Sequence, residues 1–133
     1  MLTFLELYLI AFIVFFAVDL FWLAIIAKKL YQRELGHLMR TDVNWVAALL
    51  FYFLFIGGLI IFVLIPAVDA GSVGQAIYLG ALFGFITYAT YDLTNLATLK
   101  NWPLKITFID LAWGTFLGAS TSTITYLLYN LIF

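Results

Sequence analysis

NWVAALLFYFLFIGGLIIFVLIPA, residues 44–67, contains no charged side chain, and its reading decides the fold. A helix needs roughly 20 consecutive apolar residues to cross the hydrocarbon core of a bilayer, about 30 Å thick. This run meets that requirement. A strand of a membrane barrel would instead alternate over about 10 residues. Three similar stretches accompany it, from Phe4 to Ala27, Gln75 to Leu99 and Ile106 to Leu131. The expected fold is therefore an all-α integral membrane protein, a four-transmembrane-helix bundle forming one domain over residues 1–133. The first stretch is not a signal peptide, because it lacks a basic leader, runs too long and contains Asp19.

Composition agrees with that assignment. Of 133 residues, 66% are hydrophobic and 10% charged, and mean hydropathy is +1.14. Soluble domains carry about 45–50% apolar and about 25% charged residues. A soluble enzyme, a secreted disulfide scaffold and a nucleic-acid binder are excluded. There is no cysteine and the net charge is −1, so only the local placement of charge is informative.

That placement sets the topology. The six basic residues fall in two connections, Lys28, Lys29, Arg33 and Arg40 after the first span and Lys100 and Lys105 after the third. The connection from Val68 to Gly74 and both termini have none. The positive-inside rule makes the two basic loops cytoplasmic and puts both termini on the external side.

Small residues indicate how the helices pack. Ala76, Gly80 and Gly84 form an i, i+4 ridge that leads into Tyr88 and Asp92, and Gly114, Gly118 and Ser122 repeat that spacing in the fourth span. Such ridges let two backbones approach closely where no hydrophobic effect drives helices together. An antiparallel pair of these two helices is one expectation. A homodimer through Gly80/Gly84 or Gly114/Gly118 is the other.

Three carboxylates lie inside the spans. At 1.5 Å rise per residue, Asp19, Asp92 and Asp110 sit roughly 14, 12 and 8 Å from their basic flanks, in the same leaflet. An Asp at a helix centre costs about 2.5–3.5 kcal/mol on insertion scales, so all three should point inward and share a pocket. Asn95 shares a face with Tyr88 and Asp92, while Trp22 and Trp113 each follow an aspartate by three residues. An indole N–H can donate to a carboxylate on a neighbouring helix and offset part of its desolvation. The candidate intramembrane polar site is Asp19, Trp22, Tyr88, Asp92, Asn95, Asp110 and Trp113. Trp45 and Trp102 suit the interfacial aromatic belt. Grouped carboxyls can hold a cation, relay protons or act as general acid or base. The bland alternative is that they serve as interhelical glue, worth about 0.6 kcal/mol each. Oxygen ligands alone would suit a hard cation such as Mg²⁺, whereas no span contains histidine to ligate zinc or haem; no metal or cofactor is assigned.

The loop after the first span carries Lys29, Arg33, His37 and Arg40 at i, i+4, i+8 and i+11, one stripe if the helix continues. These are candidates for contact with lipid headgroups, or simply topology-setting charges.

The stretch Tyr91-Asp92-Leu93-Thr94-Asn95-Leu96-Ala97-Thr98-Leu99-Lys100, followed by Trp102-Pro103, is distinctive. Together with Asp19-Leu20, Leu35-Gly36-His37 and Asp110-Leu111-Ala112-Trp113-Gly114-Thr115, it resembles the domain of unknown function 2177 family of small bacterial predicted membrane proteins. The resemblance covers essentially the whole chain. It implies a multi-pass protein of the bacterial inner membrane and carries no assigned activity.

Three functions are compatible with these residues. The first is a site open to the cytoplasmic leaflet, binding or modifying a lipid or other hydrophobic small molecule. The second is an accessory or structural subunit whose polar residues only pack helices. The third is a proton- or cation-coupled small transporter, which four helices without an inverted repeat could form only as a dimer.

Overall fold

The computed structural model describes residues 2–133, and no strand occurs among the described residues. α1 (Leu2–Phe21) runs through a π-helical turn, Trp22–Ile26, into the short α2 (Lys28–Leu35) and a 3-10 turn, Gly36–Leu38. α3 (Trp45–Leu59), a second π turn (Ile60–Leu64) and α4 (Ile65–Ala70) make one rod. α5 (Val73–Thr98) and α6 (Leu104–Ile132) complete the bundle.

Local chemistry sets these boundaries. The Asn44 side chain caps α3, accepting from the Ala47 N–H at 3.2 Å, and Ser72 Oγ caps α5, accepting from Gln75 N–H at 3.1 Å. Gly71 closes α4 at φ 62°, a left-handed conformation that glycine adopts without steric cost. Pro66 has no N–H, and its ring crowds the carbonyl four residues back; the π turn immediately before it widens the helix there.

Among the described residues, three helices are long and apolar enough to cross a membrane: Leu2–Ile26, Trp45–Ala70 and Val73–Thr98. Large apolar side chains cover their outer faces. Leu9, Ile13, Leu54 and Phe62 are 66–73% exposed, an apolar surface far beyond what a soluble monomer presents. α6 is the longest helix, at 29 residues, yet Lys105, Asp110 and its glycines, serines and threonines make it less apolar. Composition therefore singles out three of the four expected spans. The reason is packing, because α6 turns its polar side inward and buries Thr107, Asp110, Thr121, Ser122 and Thr125.

α5 and α6 form the most extensive helix pair. A Cβ added to Gly80 would lie 2.6 Å from the Gly118 carbonyl oxygen, and one added to Gly84 would collide with the Gly114 carbonyl. The two glycine ridges thus meet each other inside one chain. All four glycines are buried in this contact.

The bundle is unequal along its length. The half holding the chain termini is a dense apolar core that includes Leu7, Ala11, Phe15, Ile56, Leu59, Ile60, Leu64 and Leu117. In the other half α3 parts from its neighbours, and no residue from Trp45 to Leu54 is buried. A cavity opens in that half.

Candidate functional site

The cavity has a volume of about 550 Å³, within the roughly 300–1,000 Å³ of small-molecule sites. Every long helix contributes to its wall. α1 supplies Asp19, and the π turn after it presents Trp22 and Leu23. Ala48, Phe51 and Tyr52 come from α3, Thr87, Tyr88 and Tyr91 from α5, and Asp110 and Trp113 from α6. Leu23, Phe51 and Tyr91 are 38–58% exposed and form its rim.

Two of the three aspartates line this space. Asp19 and Asp110 are each 6% exposed and both reach the wall. Asp92 is fully buried behind the wall, its carboxyl within hydrogen-bonding reach of Asp110 and of no other partner. The tryptophans that follow Asp19 and Asp110 meet face to face, with ring centroids 4.4 Å apart and planes 9° from parallel. The two i, i+3 Asp–Trp pairs on α1 and α6 are thereby joined.

Trp22 does not donate to a carboxylate directly. Its Nε1 donates to the Tyr31 hydroxyl at 3.1 Å, and Tyr31 in turn donates to Asp110 Oδ1. Burial, and secondarily Asp110, raise the Tyr31 hydroxyl above the usual tyrosine range, so it stays a donor. The Trp113 indole N–H lies beside the Asp19 carboxylate, within reach of it but outside ideal hydrogen-bond geometry.

Tyr88 stands on the cavity wall near all three carboxylates. Asn95 is half-buried one turn beyond the cavity, beside Tyr91, and does not line it. Trp45 is 64% exposed, as a belt residue would be. Trp102 is not: it is 8% exposed and packs edge-on against Tyr91, 5.8 Å between ring centroids.

The basic stripe also differs from expectation. The helix breaks at Ala27, α2 ends at Leu35, and Arg40 lies past the 3-10 turn. Lys29 and Arg33 share α2, His37 sits in that turn, and Arg40 pairs with Asp42 at 3.4 Å. All four are exposed, but they do not form a single helical stripe.

Sequence reasoning missed Tyr31, Tyr52 and Tyr91. Tyr31 stands among basic loop residues, and only the break at Ala27 carries it back to the bundle. Among the described residues, no group of three or more His, Cys, Asp or Glu side chains could hold a metal ion.

Helices of membrane length, an apolar outer surface and a carboxylate-lined interior cavity define an all-helical membrane protein. The chain belongs to the family described as predicted membrane protein (DUF2177), whose match covers residues 4–127. No curated protein and no solved structure matches it.

Proposed function

We propose that the chain crosses the bacterial inner membrane four times, with both termini external, and binds or modifies a lipid or other hydrophobic small molecule. The observation that carries this reading is the cavity itself, whose carboxylates and aromatic rings lie in the half of the bundle next to the basic connections. Its rim residues Leu23, Phe51 and Tyr91 are exposed, and with the basic connections cytoplasmic a ligand would enter there from the cytoplasmic leaflet. Exposed Lys29 and Arg33 on α2 are placed to meet anionic headgroups near the membrane surface. Comparing the lipid composition of cells with and without the gene tests it, alongside native mass spectrometry of the purified protein. A retained hydrophobic molecule, lost in Asp19→Asn, is the expected result. An unchanged lipidome and an empty protein would sink the proposal.

The Tyr31–Asp110 hydrogen bond favours a second reading, an accessory subunit in which Asp110 only ties α2 to the bundle. In that case Asp110→Asn, which keeps an acceptor for Tyr31, complements a deletion strain fully.

A further inference from the structure

We propose that the cavity's ligand is a lipophilic organic cation, a molecule with an apolar body and one positively charged head. This rests on the reading of the cavity as a binding site and names the ligand class. The wall combines two carboxylates with predominantly aromatic rings and contains no lysine, arginine or histidine. Aromatic faces attract a desolvated cation through their quadrupoles, and tryptophan and tyrosine are the residues that do so best.

The two carboxylates are not equivalent. Asp110 already accepts from Tyr31. Asp19 is 6% exposed, and the donor beside it, the Trp113 indole N–H, is neutral and supplies no countercharge. The nearest cations along the chain, Lys28 and Lys29, are exposed on the far side of the π turn. The protein thus buries a carboxyl against aromatic rings and leaves its countercharge to come from elsewhere. An anionic ligand would meet like charge there. A neutral one would leave Asp19 unpaired, which is costly in a dry site. An onium head answers both the carboxylate and the rings of Trp113, Tyr52 and Tyr88 around it.

The test uses the full chain in nonionic dodecyl maltoside micelles, titrated calorimetrically with tetraphenylphosphonium and with its near-isosteric anion tetraphenylborate, protein-free micelles being subtracted. The expected result is saturable binding of the phosphonium and at least about tenfold weaker binding of the borate, a gap of about 1.4 kcal/mol. Asp19→Asn should weaken the phosphonium by about tenfold or more at unchanged helix content, and Asp69→Asn, exposed near the end of α4 at the opposite end, should not. Equal binding of the two ions, or an unchanged affinity in a folded Asp19→Asn, overturns the cation assignment and leaves the hydrophobic site standing. Saturable binding of neither ion to the folded wild type overturns both. Displacement by added phosphatidylethanolamine, with phosphatidylglycerol as the control, would mark the head as a lipid amine. Lack of displacement would mark it as a free amphiphile.

Discussion

The Tyr31 hydroxyl donates to Asp110, joining residues 79 apart in the chain. It is the tie between the basic segment and the bundle, and Trp22 completes it from the π turn of the first helix. Tyr31→Phe keeps the ring and deletes the donor, leaving a buried carboxyl and an indole N–H without their partner. Such a loss costs about 1–3 kcal/mol, to be read as a lower unfolding midpoint in detergent. The exposed neighbour Gln32→Ala should leave the midpoint unchanged. Limited proteolysis should cut Tyr31→Phe faster within residues 28–44.

The alkaline limb offers an independent check on the same residue. A tyrosine raised in the folded state stabilises the fold fully below its unfolded pKa of about 10, and that contribution fades as pH rises through the folded value. Stability should therefore fall above about pH 10, and Tyr31→Phe should make that fall shallower. An identical slope in the two proteins would show that Tyr31 ionises freely.

Close backbone contact between α5 and α6 predicts a steep dependence on side-chain size. Gly84→Ala puts a methyl into the Gly114 carbonyl, and overpacking of this kind costs about 1–3 kcal/mol. Gly84→Leu and Gly118→Leu should prevent folding, seen as loss of a monodisperse peak in detergent. At Gly36 an added Cβ meets nothing within 4 Å, so Gly36→Ala should behave as wild type.

Orientation is testable without purified protein. Reporter fusions at Gly36 and at residues 101–103 should read cytoplasmic, and fusions after Phe133 and near Asp69 external. A cytoplasmic C-terminus would reverse the orientation and move the cavity to the outer leaflet.

The helices were legible because apolar run length is a one-dimensional property, as residues 44–67 illustrate. Depth is also one-dimensional, which is why Asp19 and Asp110 could be assigned similar levels before their rotation about the helix axes was known. Rotation was where the reading ran out. Asn95 lies on the expected face of α5 but one turn past the cavity, whereas Tyr91, between it and Tyr88 at i−4 and i+3, sits at the rim. Tyr31 reaches Asp110 only past a π turn and a break at Ala27, and nothing in WLAIIAKKLY announces either. The stripe from Lys29 to Arg40 does not form because α2 ends at Leu35, before His37 and Arg40.

The inward-facing hydroxyls and glycines of α6 also bear on how the protein is made. A segment carrying Asp110, Thr121, Ser122 and Thr125 on one side is the one least able to leave the insertion machinery for lipid by itself. α5, already fitted with the complementary glycines, emerges from the ribosome just before it, and only the short turn around Asn101, at φ 64°, separates the two. Four-span insertion of this chain would then proceed with α5 and α6 as one hairpin rather than one helix at a time.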